Sequence, residues 1–125
     1  MPYVDLSRTT VTGAGLAELV ELVHLKLSLS GAGVTDAGLA GLAATPGLRS
    51  VGLSHTRVTD AGLKALSAVP DLQSLDLSAT AVTDAGLVEL ASARKLKQLD
   101  LRETQVTAAG IRQLKAGLPD CVIRN

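Results

Sequence analysis

Acidic side chains recur at fixed spacing in this 125-residue chain and are its first candidates for chemistry. Asp76 and Asp100 are 24 residues apart, and each follows a leucine in an alternating polar and apolar segment. On adjacent strands they would lie about 5 Å apart, close enough to bind a cation or to raise the pKa of one carboxyl group. Exposed acids on strands are common, so we favour the alternative in which both are solvated and chemically silent.

A second acidic series consists of Asp36, Asp60 and Asp84, each directly after a threonine. Threonine is a preferred helix N-cap residue, whose hydroxyl accepts a backbone N–H. A carboxylate in the first helical turn complements the helix dipole, so these acids require no metal. The predicted capping residues are Thr35, Thr59, Thr83 and Thr107.

Ser54, His55 and Asp76 are the residue types of a hydrolytic triad. Neighbours on a strand point to opposite faces, however, and His55 is predicted to lie in the turn after the strand. The sequence has no nucleophile elbow, no phosphate-binding glycine loop and no His or Cys spacing typical of a metal site. We therefore expect no enzyme activity, no metal and no cofactor, with Cys121 a small residue of the last core layer.

These residues all belong to one unit that is repeated five times. The segment V-T-D-A-G-L occurs at 34–39, 58–63 and 82–87, with variants at 11–16 and 106–111. A second pattern, L-x-x-(L/V)-x-L-x-x-T-x-V, precedes three of the copies. Its alternating leucines predict a short strand, and the spacing of Leu63 and Leu66 predicts a helix. Each unit is therefore predicted to be strand, turn, helix and return loop.

This pattern resembles the leucine-rich-repeat signature, with threonine in the slot usually held by asparagine or cysteine. V-T-D-A-G-L is similar to the 24-residue repeats of bacterial leucine-rich-repeat proteins. The resemblance implies a right-handed α/β solenoid, with a parallel sheet on the concave face and helices on the convex face. We expect one domain over residues 1–125, made of five repeats and a C-terminal closing strand. The repeat glycines predicted to let each helix approach the next coil are Gly38, Gly62, Gly86 and Gly110.

Composition narrows the class of partner. Twelve basic and twelve acidic residues leave no net charge, which disfavours nucleic acid and anionic membranes as partners. No apolar run approaches the roughly 18 residues that cross a bilayer. No signal peptide is recognisable and there is one cysteine, so we expect a cytoplasmic protein.

The concave strand face is predicted to bind a protein partner of unknown identity. Serine dominates the positions beside the strand leucines, whereas interface hot spots favour Trp, Tyr and Arg. An undecorated scaffold is therefore the competing interpretation of this face. The predicted binding residues are Tyr3, Asp5, Lys26, Ser50, Ser74, Asp76, Gln98, Asp100 and Arg102.

The alternative function is structural and involves the first coil. No capping unit precedes the first repeat, so this coil is expected to expose apolar surface and an unpaired strand edge. Such an edge would either mediate self-association or be covered by the rest of a longer protein. The expected oligomeric state is therefore a monomer or a homodimer formed through this edge. A looser turn is predicted where Ala32 replaces the threonine. The predicted self-association residues are Val4, Leu6, Val11 and Leu16.

Overall fold

The computed structural model describes residues 3–5, 25–28, 36–39, 48–69 and 71–125. The strands in these ranges are β1 Tyr3–Asp5, β2 Leu25–Ser28, β3 Leu48–Gly52, β4 Ser74–Asp76, β5 Gln98–Asp100 and β6 Val122–Arg124. The helices are α1 Asp36–Leu39, α2 Asp60–Ser67, α3 Asp84–Leu90 and α4 Ala108–Gly117. The predicted alternation of strand and helix is thus confirmed, whereas the looser turn predicted at Ala32 lies outside the described residues.

The strands form one parallel sheet in which they follow chain order from β1 to β6. Pairing between β4 and β5 joins residues 24 positions apart, such as Ser74 and Gln98. Pairing between β1 and β2 joins residues 23 positions apart, such as Tyr3 and Lys26, and so keeps the shorter spacing of the first two sequence copies. A parallel sheet with alternating helices is the α/β solenoid that the sequence predicted.

The core is a stack of equivalent aliphatic side chains. Leu53, Leu77 and Leu101 come directly after successive strands, and each is at most 1% exposed. Burial of a leucine contributes roughly 1.5–3 kcal/mol, so the same contribution recurs with every coil. Cys121 is 1% exposed and lies in this core as predicted.

A hydrogen-bonded turn follows β3, β4 and β5. Its threonine hydroxyl donates to the backbone carbonyl three residues earlier, at 2.7 Å for Thr56 and Thr80 and at 2.6 Å for Thr104. The residue before each threonine has a left-handed conformation with φ of 55° to 58°. These residues are His55, Ala79 and Glu103. The turn therefore sends the chain away from the sheet, and it places His55 in the turn as predicted.

Consecutive coils are joined by a contact that we call the Asp–Thr joint, between an aspartate and the threonine 23 residues later. The Asp60 carboxylate accepts the backbone N–H of Thr83 at 2.7 Å and also the Thr83 hydroxyl. The pair Asp36–Thr59 and the pair Asp84–Thr107 make the same two bonds. Bonding to Thr107 lowers the pKa of Asp84.

The joint corrects two predictions about the V-T-D-A-G-L segment. Thr59 and Thr83 are N-cap residues, but their hydroxyls make no bond to their own helices because they donate to the preceding coil instead. Only the Thr107 hydroxyl also accepts an N–H of its own helix, from Gly110 at 3.3 Å. Complementarity to the helix dipole is therefore an incomplete account of the aspartates, since each also holds the next coil. The same prediction for Thr35 lies outside the described residues.

The repeat glycines lie against this joint. A Cβ added to Gly62 would be 2.5 Å from Asp36 Oδ1 and 2.9 Å from Leu39 Cδ1. Gly86 and Gly110 face the next two aspartates in the same way. The predicted close approach is confirmed at these three glycines, while the surroundings of Gly38 lie outside the described structure.

We predict that Gly86→Ala destabilises the protein by about 1–3 kcal/mol, the usual cost of overpacking, although alanine is the better helix former. The added Cβ would be 2.6 Å from Leu63 Cδ1 and in conflict with Asp60. Gly117→Ala is the matched control, because its Cβ would meet nothing closer than Ala91 Cβ at 3.6 Å. Urea unfolding measures the free energy of unfolding of both variants. Equal values would contradict the assignment of Gly86 to a close contact between coils.

Candidate functional site

The sheet register aligns strand positions in two columns, one on each side of the apolar residue of each strand, such as Val51, Leu75 and Leu99. The first column contains Tyr3, Lys26, Ser50, Ser74, Gln98 and Val122. The second contains Asp5, Ser28, Gly52, Asp76, Asp100 and Arg124. The predicted neighbours Asp76 and Asp100 are therefore paired. The side chains of β1 and β2 lie outside the described structure.

Val122 and Arg124 extend the two columns onto β6 and were not among the residues predicted from the sequence. The available signal was the repeat itself, since they follow Gln98 and Asp100 by 24 residues. The segment around Cys121 lacks the strand leucines, so the sequence pattern there predicts only a closing strand. Val122 is 60% exposed, which makes it an apolar contact point on an otherwise polar face.

Strands β4, β5 and β6 surround a shallow hollow of about 250 Å³ on this face. Leu75 and Leu99 form its floor, because both belong to the buried core. The other lining residues are Ser74, Asp76, Gln98, Asp100, Val122 and Arg124. We call these six residues, together with Arg102, the β4–β6 face.

Asp100 is held by an ion pair with Arg102 in the β4–β6 face. Arg102 Nη2 donates to Asp100 Oδ2 at 2.7 Å, and its Nε lies 3.0 and 3.1 Å from the two carboxylate oxygens. This bonding lowers the pKa of Asp100 and raises that of Arg102. The suggestion that a neighbouring carboxylate raises the pKa of one carboxyl group is therefore wrong for Asp100. The Asp100 side chain is also only 14% exposed and not freely solvated.

Asp76 is fixed in a similar way by its own strand end. Its Oδ1 accepts the Ser78 backbone N–H at 2.9 Å and the Ser78 hydroxyl at 2.7 Å. Asp76 and Asp100 are thus each bonded to the residue two positions later. Within the described part of the chain, no group of His, Cys, Asp and Glu side chains is arranged to hold a metal.

The opposite, helical side carries a second hollow of about 240 Å³ between α3 and α4. Leu87, Ala91 and Leu114 contribute to it, and Val88 beside them is 66% exposed. This hollow is apolar and its lining includes only one charged residue, Asp84. It therefore lacks the set of polar and charged groups that the β4–β6 face brings together. No described helix has the length and apolar character needed to cross a membrane.

The residues predicted for self-association are placed only in part. Val4 lies in β1, where it pairs with Leu27 of β2. Leu6, Val11 and Leu16 lie outside the described residues. Self-association through this coil therefore stays a prediction.

The repeats match a known protein family. The family described as Leucine Rich repeat matches residues 22–43, 48–67 and 70–91, which together make up more than half of the chain. The chain belongs to the leucine-rich-repeat family. No curated protein sequence matches it significantly.

Solved structures with the same fold include proteins of several kinds. A leucine-rich-repeat protein of Leptospira interrogans has a TM-score of 0.67 and 22% identity, over 87% of this chain and 27% of its own. Internalin F of Listeria monocytogenes has a TM-score of 0.64 and 17% identity, over 99% and 41%. Actin-binding site 2 of leiomodin-1 has a TM-score of 0.61 and 16% identity, over 97% and 65%. This chain thus spans less than two thirds of each, and at these identities the likeness establishes the fold.

We predict that Arg102→Ala reduces the loss of stability in acid. Because the folded-state pKa of Asp100 lies below its ordinary value of 3.8, the ion pair stabilises the fold above that value. The stabilisation is lost as the pH falls through the lower, folded-state pKa. Arg112→Ala is the control, since Arg112 is an exposed arginine of α4.

Urea unfolding of both variants at about pH 7 and about pH 3 provides the measurement. The free energy of unfolding should fall less between the two pH values for Arg102→Ala than for Arg112→Ala or the unmodified chain. An equal fall in all three proteins would show that the Arg102 pair does not contribute to the pH dependence.

Proposed function

We propose that this chain is a protein-interaction module that binds its partner on the β4–β6 face of the concave sheet. The observation that carries the proposal is the strand register, which gathers an arginine, a glutamine, two aspartates and an exposed valine around one hollow, with Arg102 paired to Asp100 beside it. Arginine is enriched among interface hot spots, and such residues act within well-packed, water-excluding surroundings. An exposed valine with polar and charged groups around it matches this anatomy.

The charges of the face define the kind of partner that fits it. Asp76 lies on β4 and Arg124 on β6, so they are two strand spacings, or roughly 10 Å, apart. Between them, Asp100 is paired with Arg102 and so adds little net charge. A complementary partner therefore presents a basic group towards β4 and an acidic group towards β6, because oppositely charged groups across an interface favour the correct orientation.

Small residues on β3 and β4, in and beside the β4–β6 face, determine how closely the partner approaches. Gly52, Ser50 and Ser74 occupy the columns on β3 and β4 and present little side-chain bulk. A partner segment can therefore lie near the backbone there while its larger groups meet Val122 and Arg124. Modest affinity follows, since few large side chains contribute to binding.

Family membership supports the same class of function. Leucine-rich-repeat proteins are typically binding proteins without enzyme activity, and stacked repeats provide extended concave binding surfaces. One of the structures that share this fold is described as an actin-binding site of leiomodin-1. Since fold alone does not establish function, the identity of the partner has to come from experiment.

We predict that Val122→Asp lowers partner binding by about tenfold or more, the loss produced by about 1.4 kcal/mol. The substitution replaces the exposed apolar contact on β6 with a charge. Val88→Asp is the matched control, because Val88 is equally exposed, at 66% against 60%, but lies on the helical side. The unmodified chain is immobilised, and the proteins that it retains are identified by mass spectrometry. The affinity of each variant for the purified partner is then measured.

The two aspartates provide an independent test on the same partner. Asp76→Lys together with Asp100→Lys should weaken binding. The control is Glu89→Lys with Asp120→Lys, which changes the net charge by the same amount at two exposed positions outside the face. Circular dichroism verifies that all variants are folded. Undiminished binding by folded Val122→Asp and by the double aspartate variant would refute the site, as would a loss confined to Val88→Asp.

A further inference from the structure

One backbone carbonyl in or beside each of β3, β4 and β5 accepts an N–H from the next segment along the sheet. The Arg49 carbonyl accepts from Gln73 at 2.8 Å, and the Gln73 carbonyl accepts from Lys97 at 2.7 Å. The Lys97 carbonyl in turn accepts from Val122 at 2.8 Å. These bonds are part of the ladder by which one strand is added to another along the solenoid.

The equivalent carbonyl of the closing segment, which follows the fifth coil, is that of Cys121, 24 residues after Lys97. It accepts a hydrogen bond from Lys115 Nζ at 2.7 Å, so a side chain of α4 takes the place of a strand N–H. The residues at the same helical position of the two preceding coils are Ala91 and Ser67, whose side chains are too short for this contact. Lys115 therefore makes a contact that is specific to this coil.

The Asp–Thr joint is also missing from the outer face of the fifth coil. Asp36, Asp60 and Asp84 each hold the threonine of the following coil, but the fifth copy has Ala108 at this position. A methyl group accepts no hydrogen bond. The fifth coil thus lacks the aspartate by which these preceding coils hold a neighbour, and the Cys121 carbonyl beside it is already occupied by Lys115.

We propose that Lys115 and Ala108 close the outer face of the fifth coil, so that a second copy of this chain does not extend the sheet beyond β6. An edge strand with free backbone groups is a template for pairing with another chain, and lysine at the edge is a known protection. An incoming strand would have to displace the Lys115 ammonium from the Cys121 carbonyl and would lose this charge-assisted hydrogen bond. Head-to-tail addition of copies would otherwise produce open filaments.

Closure has a consequence for the β4–β6 face as well. Val122 and Arg124 lie on β6, so a strand added there would cover the end of the hollow. With the edge closed, Val122 remains 60% exposed. The inference concerns assembly and does not depend on the proposed binding function.

The test restores the internal-coil residues with the double variant Ala108→Asp, Lys115→Ala. Its mass is measured by size-exclusion chromatography with light scattering over a concentration series. The controls are Lys64→Ala, which removes an exposed lysine of α2, and Lys115→Arg, which keeps a cation within reach of the edge. Hydrogen exchange of Val122–Arg124 reports whether β6 is covered.

The double variant should self-associate at least about tenfold more tightly than the unmodified chain, and exchange at β6 should slow as the concentration rises. Tenfold corresponds to about 1.4 kcal/mol. Both lysine controls should behave like the unmodified chain. The proposal is overturned if the folded double variant associates no more than the unmodified chain, or if it associates without any slowing of exchange at β6.

Discussion

The Asp–Thr joint is the contact on which the remainder of the described structure depends. One carboxylate accepts both donors of a threonine in the next coil, as Asp60 does with Thr83, and so fixes the first turn of one helix against the start of the next. Gly86 lies against the same carboxylate because no larger residue fits. The threonine, the aspartate and the glycine of the V-T-D-A-G-L segment therefore take part in one kind of contact, which explains why they recur together.

The joint acts on the helical side, and the proposed binding face lies on the opposite side of the same coils. Constant spacing between coils brings Asp76 beside Asp100 and Gln98 beside Val122. The joints fix the helices relative to one another, and the strands that precede those helices are fixed in register with them. The aliphatic core supplies most of the stabilisation but little specificity, since Leu77 and Leu101 occupy equivalent sites. The polar contacts determine the register, and the register determines which side chains share the face.

The sequence predicted the fold well because its information is periodic. Leucine alternation, the helical leucines and the glycine column all follow from one repeat and are confirmed. The direction of the Thr83 hydroxyl could not be read in the same way, because its partner Asp60 lies 23 residues away while another aspartate, Asp84, is adjacent. Val122 was within reach of the spacing argument, whereas the Lys115 contact required knowledge of where α4 ends relative to β6.

A double-mutant cycle on Asp60→Ala and Thr83→Val tests the central contact most directly. Unfolding free energies of the single and double variants give the coupling energy between the two side chains. The account predicts a coupling of at least about 1 kcal/mol, the scale of a hydrogen bond to a charged group, and near additivity for the unpartnered combination Asp60→Ala with Thr107→Val. Additive effects for Asp60 and Thr83 as well would show that the joint does not hold the coils together.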